Sequence, residues 1–204
     1  MVESLDRDGW FVVEHALDAA AVTRLRLAFE GAQREGTQHV RIDDETPEAG
    51  SWRALESHQA ILAAAAHVLG PSFRVRDVHG RNPLPGWGGQ GLHTDHPPRA
   101  PGEPFSVLSA IWMLDDFTRE NGATRVVSGT HLLTMPIPKP LAQPNAHDAR
   151  EAIVTGLAGS VLVFNGHLWH SGTRNASRRP RRAAQMLIVA TREVIRVESK
   201  GQLS

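Results

Sequence analysis

The chain changes character at Gly70-Pro71, and that change limits the folds open to it. Upstream, apolar residues recur with helical spacing. Asp18 is suited to cap a helix over about Ala19 to Arg34, with Val22, Leu25, Ala28 and Phe29 on one face. Ser57 is suited to cap a second helix that ends near Leu69, where Gly70 and Pro71 stop it. A short strand over Gly9 to Glu14 precedes both helices. The polar stretch Gln38 to Ser51, which contains Pro47 and Gly50, reads as loop. Downstream of Pro71 the pattern is of strands. Phe73 to Val78 alternates, Pro104 to Leu114 is β-rich, Ser160 to Asn165 is short and apolar, and Ala184 to Val197 is rich in Val and Ile. Gly and Pro punctuate them throughout. Helices followed by many short strands predict an α+β, mainly β chain: a β-sandwich or barrel with the helices packed on one face.

At 204 residues, with no internal repeat or linker, the sequence fits one domain, residues 1–204, with a helical part over about 15–70 and a β core over about 71–200. Lys plus Arg equals Asp plus Glu at 22 each, so no global field favours nucleic acid or an anionic membrane. Cysteine is absent, which excludes disulfides, thiolate metal sites and cysteine nucleophiles. The first residues show no basic stretch followed by an apolar one, and the longest apolar run, Ala60 to Ala66, is too short to span a bilayer. A soluble, cytoplasmic protein is the expectation. Two Pro-containing loops, Pro97 to Pro104 and Thr134 to Arg150, are long for a compact domain and are expected to carry substrate specificity.

Chemistry concentrates in His93-Thr94-Asp95, which follows the glycine-rich run Gly86-Trp-Gly-Gly-Gln-Gly91. In an extended segment residues i and i+2 share a side, so His93 and Asp95 can face one ion while Thr94 faces away. With a second histidine from elsewhere they make a 2-His-1-carboxylate set, which leaves coordination positions open on a ferrous ion. The tripeptide alone is equally compatible with a surface histidine beside a solvated aspartate. The second histidine is open between His167 and His170 in Asn165-Gly-His-Leu-Trp-His-Ser-Gly, and spacing does not choose. Arg174, Arg178, Arg179, Arg181 and Arg182 crowd the following segment. At least one of them leads into an apolar strand, where a buried charge requires an anionic partner.

Taken in order, four motifs resemble the phytanoyl-CoA dioxygenase family of Fe(II)/2-oxoglutarate-dependent oxygenases. They are Asp8-Gly-Trp-Phe-Val-Val, Gln90-Gly-Leu-His-Thr-Asp95, Asn121-Gly-Ala-Thr-Arg-Val-Val-Ser-Gly-Thr-His131, and Gly159 to Asn175 with Arg181. Ser128 stands where that family usually has proline. The resemblance implies a double-stranded β-helix (jelly-roll, cupin-like) core, and His93, Asp95 and His170 as catalytic metal ligands. It implies Fe(II) as cofactor, 2-oxoglutarate and dioxygen as co-substrates, and Arg181 as the partner of the 2-oxoglutarate carboxylate. It further implies co-substrate contacts from Gln90, Trp112, Thr124 and Asn82, with His167 and His131 outside the metal shell. Asp95 argues against the halogenating variants, which lack that ligand. The implied activity is hydroxylation of a small molecule with release of succinate and carbon dioxide. The sequence names neither that molecule nor the oligomeric state. A zinc hydrolase or isomerase of cupin type, or a non-catalytic ligand-binding jelly roll, would use the same barrel.

Overall fold

The computed structural model describes residues 1–43 and 45–191. Four α-helices, α1 (Val2–Arg7), α2 (Ala19–Ala32), α3 (Ala49–Ala54) and α4 (Gln59–Leu69), accompany nine strands. The strands are β1 (Trp10–Val13), β2 (His39–Val40), β3 (Phe73–Arg81), β4 (Val107–Met113), β5 (Thr124–Val127), β6 (Glu151–Ile153), β7 (Val161–Asn165), β8 (Trp169–Gly172) and β9 (Ala183–Ala190). A major sheet has the order β1-β7-β4-β9-β3-β2 and a minor sheet the order β6-β5-β8, with every pairing antiparallel. This is the double-stranded β-helix expected for the β part, with helices on one face.

Strand alternation explains the layers. On β4, Leu108, Ala110 and Trp112 point to the helices, where they meet Leu25, Phe29, Trp52 and Ile61 in one apolar cluster. Ile111 and Met113 point the other way and pack with Phe117, Val126 and Leu168 from the minor-sheet side. Both faces of β4 are covered, so all seven of its residues are buried and its sequence is continuously apolar. Phe29, fully buried under the major sheet, is a keystone of the helical layer; truncation to Ala would cost about 3–5 kcal/mol.

Asp18 caps α2 as expected, its Oδ1 accepting from the Ala21 N–H at 2.7 Å. Ser57 does not cap α4. Its hydroxyl donates back to the Ala54 carbonyl at 3.0 Å and closes a 3₁₀ turn, so α4 begins two residues later, at Gln59. The stretch expected as loop, Gln38 to Ser51, holds β2 and the start of α3, and α1 adds a helix before the first strand. β2 is two residues long and extends β3 at the sheet edge, with His39 opposite Arg81 and Val40 opposite Gly80. A Cβ on Gly80 would lie 2.6 Å from the Phe29 ring, so the bare backbone there lets α2 approach this edge. The last strand expected from sequence begins at Ala183, and its stretch from 192 to 197 lies outside the described residues. Among the described residues, no helix is long and apolar enough to cross a membrane.

Candidate metal centre and its cavity

His93 lies in a loop that docks on β8: its N–H donates to the His170 carbonyl at 2.9 Å, and the His170 N–H returns a bond to the His93 carbonyl at 3.0 Å. The Asp95 N–H donates to the Gly166 carbonyl at 2.8 Å. Backbone pairing therefore brings together residues 77 positions apart (93 and 170), and it orients them before any ion binds. One ligand atom from each of His93, Asp95 and His170 lies within 4.8 Å of the other two, a spacing that could hold a metal ion. Each imidazole is oriented through its other nitrogen. Nδ1 of His93 donates to the Gly91 carbonyl at 3.0 Å and Nδ1 of His170 to the Leu168 carbonyl at 2.9 Å, which leaves both Nε2 atoms for a metal. The Ser109 hydroxyl from β4 donates to Asp95 Oδ2 at 2.5 Å, and Asp95 Oδ1 lies 3.5 Å from His170 Nε2.

These contacts set the charges. Burial alone would push the Asp95 carboxyl up, but the His170 imidazole beside it, with help from Ser109, holds it down at about 2. Burial likewise presses His170 down, yet the Asp95 charge and hydrogen bond outweigh it and the net shift is upward. His93 is lowered, by burial first and by the His170 charge second. The Asp95 charge thus favours a proton on His170, while burial disfavours one on His93. Two neutral-capable imidazoles and a firmly ionised carboxylate on one side of a cavity fit a divalent first-row ion.

The cavity next to the three ligands has a volume of about 330 Å³. Arg181 reaches it from the segment entering β9, and it is 5% exposed. Its Nη2 donates to the Gly122 carbonyl at 2.7 Å, and its guanidinium carbon sits 4.3 Å from the centre of the Phe117 ring. Nε is buried with no hydrogen-bond partner, and among the described residues no carboxylate pairs with the group. Burial, and then the charge of nearby Arg81, press its pKa down to about 9; the group remains a cation at neutral pH. A buried guanidinium with an idle donor facing a cavity requires an anion. The other four arginines of the cluster are different. Arg174, Arg178 and Arg179 are exposed, and Arg182 is bound by Asp115 at 2.8 Å and by Glu30.

Gln90 and Thr124 also line the cavity, and Gln90 Oε1 accepts from the Gly172 N–H at 3.2 Å. Trp112, expected beside the co-substrate, faces the helices instead: its ring stands edge-on to His58 with centres 4.9 Å apart. Alternation on β4 gives the cavity position to Ile111. Asn82 is outside the cavity lining; its Oδ1 accepts from the Arg181 N–H at 3.3 Å, so it positions the arginine's backbone. His167 is turned from the ligands, and its Nε2 accepts from the Ser106 N–H at 3.2 Å. His131 is fully buried near Phe105.

Neither long loop contributes to the cavity lining. Arg99 of the first lies over the Phe105 ring, 4.1 Å from its centre. The second packs Ile137 and Leu141 on Leu92, Val127 and Trp169, on the outer side of the minor sheet. The rest of the lining comes from edge strand β2 and its neighbour β3, from Gln185 and Leu187 of β9, and from Ser171 and Gly172 of β8. The sequence held one usable signal for this wall, the period-two spacing of Asp77, His79 and Arg81. Ser109 and His39 carried no such signal.

A jelly roll with a His-Asp-His cluster and a buried, unpaired arginine in the same cavity defines a class of mononuclear metal protein with an acid-binding pocket. The phytanoyl-CoA dioxygenase pattern matches residues 5–183, and the chain belongs to that family. It is 33% identical over 112 residues to the dioxygenase trt7 of Aspergillus terreus, an alignment covering 52% of this chain and 37% of that protein. It is 31% identical to the dioxygenase andF of Emericella variicolor, with 87% of this chain and 69% of that protein covered. The first of these relatives is thus much longer than the part this chain matches. Among solved structures, HygX from Streptomyces hygroscopicus, crystallised with nickel, 2-oxoglutarate and hygromycin B, superposes with a TM-score of 0.72 at 17% identity, covering 92% of this chain and 85% of that one.

Proposed function

We propose that this protein is an Fe(II)- and 2-oxoglutarate-dependent oxygenase that hydroxylates a small molecule and releases succinate and carbon dioxide. One observation carries the reading: the buried Arg181 guanidinium, without an anionic partner, opens into the cavity that His93, Asp95 and His170 share. A dicarboxylic co-substrate meets such a cation with its far carboxylate, which favours the oxygenase over a zinc hydrolase acting on a neutral substrate. Ferrous iron, when bound, supplies the activation of dioxygen coupled to oxidative decarboxylation of 2-oxoglutarate.

The chain's own residues do the placing. His93 and His170 present Nε2, each imidazole locked by its Nδ1–H bond to a backbone carbonyl, and Asp95 stays ionised with Ser109 fixing its second oxygen. Arg181 holds the far carboxylate of 2-oxoglutarate through its free Nε edge while Gly122 and Phe117 fix the plane of the group. Thr124 and Gln90 line the same wall, and Ile111 and Leu187 give the cavity an apolar side that limits water. We further propose a cytoplasmic setting, where iron stays ferrous more readily. The test is anaerobic titration with Fe(II) and 2-oxoglutarate, followed by a succinate assay in air. The expected result is a visible charge-transfer band that needs both additions, and substrate-dependent succinate afterwards. Metal binding without the band, or with no effect of 2-oxoglutarate, would overturn the proposal.

A further inference from the structure

We propose that Arg81, steadied by His39, anchors a carboxylate of the primary substrate, so that the substrate class is small carboxylic acids. The inference rests on the oxygenase reading above and concerns the stretch of the major sheet beside Arg181, where Arg81 pairs with Ala183. Across the cavity-facing side of the major sheet, Ala183 of β9, Arg81 of β3 and His39 of β2 form one row, and Gln185 and His79 form the next. The face therefore turns from apolar to basic toward the sheet edge.

Arg81 is a half-buried cation with no carboxylate in contact, although the Asp95 charge acts on it from a distance. Among the described residues it forms no ion pair, and its side chain hydrogen-bonds only the His39 ring, where Nη1 lies 2.8 Å from Nδ1 and also against Nε2. His39 is kept neutral, by burial first and then by the charges of Arg81 and His79, so it serves as an acceptor that orients the guanidinium without neutralising it. The two carboxylates of this cavity are engaged elsewhere. Asp77 Oδ2 is 2.7 Å from His79 Nδ1, and the oxygens of Asp95 belong to Ser109 and His170. With Nη1 committed to His39, the Nη2–Nε edge of Arg81 remains for a planar, bidentate acceptor, which is the geometry of a carboxylate.

The charge balance points the same way. A ferrous ion with Asp95 carries one net positive charge, and Arg181 adds a second; the 2-oxoglutarate dianion cancels both. Among the other charged groups of the lining, Arg76 and Arg81 are then offset by Asp77 alone, so the loaded cavity keeps one positive charge. The volume of about 330 Å³ is at the small end for ligand pockets, and 2-oxoglutarate takes part of it, so the acid is small.

The experiment is calorimetric titration of the Zn(II)-loaded protein, saturated with 2-oxoglutarate, with cyclohexanecarboxylate and with cyclohexanecarboxamide, which share a shape and differ in charge. The carboxylate is expected to bind at least about tenfold more tightly than the amide, as a charge-assisted pair provides. Arg81→Met should erase that preference, Arg81→Lys should keep part of it, and Arg179→Met should leave it intact. Because Arg81→Met removes an unpaired cation, its thermal midpoint should not fall, whereas a merely structural arginine would lower it. No carboxylate preference, a preference that survives Arg81→Met, or a loss of 2-oxoglutarate affinity in Arg81→Met equal to that in Arg181→Met would overturn the proposal. A second arm uses metal-free Arg181→Met protein without 2-oxoglutarate, where the preference should persist and vanish when Arg81→Met is added. That arm reads the carboxylate site even if iron and 2-oxoglutarate fail to bind, so the two proposals fail separately.

Discussion

The metal end of the cavity is held by reciprocal backbone bonds and locked imidazoles, and its mouth by an edge strand of only two residues. His93 and His170 exchange two main-chain hydrogen bonds, and both imidazoles donate to carbonyls two residues away. The mouth has His39 on a two-residue strand opposite Arg81 at the end of β3, with the guanidinium against the imidazole. Backbone fixation suits ligands that must hold one geometry for an ion. An edge built of exchangeable side chains suits a wall that varies with substrate. The difference predicts that damage at the metal end is nearly complete and damage at the mouth is selective.

The largest effect should come from His170→Ala. A supporting partner outside the metal shell typically contributes about 10–100-fold in metal affinity, so losing a ligand should cost more than about 100-fold. Titration with Co(II) or Fe(II) under anaerobic conditions measures it. His167→Ala, whose ring meets Ser106 and not the cluster, should remain within about tenfold of wild type. The reverse pattern would exchange the roles of the two histidines.

Next is Arg181→Met. Losing a charge-assisted pair of about 1.5–3 kcal/mol should weaken 2-oxoglutarate binding by roughly 10–100-fold, against little change for the exposed Arg179→Met. Thermal shift gives an independent reading. The stabilisation that 2-oxoglutarate confers, about 2.7 kcal/mol at a hundred times its dissociation constant, should fall to about 0.4–1.4 kcal/mol in Arg181→Met at the same concentration. Equal losses in the two variants would mean that the cluster acts only as a diffuse basic surface.

What the sequence could and could not disclose divides along the same line. The metal end was legible because its residues sit in ordered motifs, and the segments around them alternate or run apolar over five residues or more. The segment after Asn175 was readable as a buried arginine entering a strand, although composition alone left five candidates. Trp112 departs from expectation because a strand buried on both faces has no polar side to show which residues face the cavity, and Ile111 lies one position away. The mouth was largely hidden. Two residues of β2 carry no periodicity, and His39 becomes relevant only through its register opposite Arg81, fixed where Gly80 admits Phe29. Long proline-rich loops are conspicuous in a sequence, yet neither lines the cavity, and the second packs on the outside of the minor sheet.

A milder effect is in pH. His170 is raised by Asp95, so the stability this pair contributes to metal-free protein is fully present below the ordinary histidine value of 6.5 and is lost as pH rises through the folded value. Asp95, lowered to about 2 from 3.8, contributes stability that is present above 3.8 and is lost as pH falls through about 2. The proton on His170 must leave before Nε2 can bind metal. Metal affinity should therefore rise about tenfold per pH unit in the range where His170 holds its proton, and level off above its folded value. Proton release during metal titration in buffers of different ionisation enthalpy checks this, and it should vanish in His170→Ala. Uptake of protons, or affinity independent of pH from 5.5 to about 8, would show that the apo pair is not charged.

The smallest effect expected separates the loop from the mouth. Lys139 lies exposed in the Thr134–Arg150 loop, whose anchor points are the Leu141 carbonyl accepting from Leu92 N–H at 3.1 Å and the Ala146 carbonyl accepting from Arg125 at 2.5 Å. None of these groups meets the cavity, so Lys139→Ala should change acid-over-amide preference and metal affinity by less than about twofold, within the ±0.5 kcal/mol usual for surface positions. Gly91→Ala provides the contrast within the same contact. Its Cβ would lie 1.8 Å from the Ala142 carbonyl oxygen, so the loop must shift, and Gly91 also supplies the carbonyl that orients His93. That variant should lose metal affinity about tenfold, as outer-shell changes do, while its acid preference in the loaded protein stays with Arg81. If Lys139→Ala instead alters ligand preference as strongly as Arg81→Met, the loop closes over the cavity when ligands bind, and the wall that selects substrate extends beyond the edge strands.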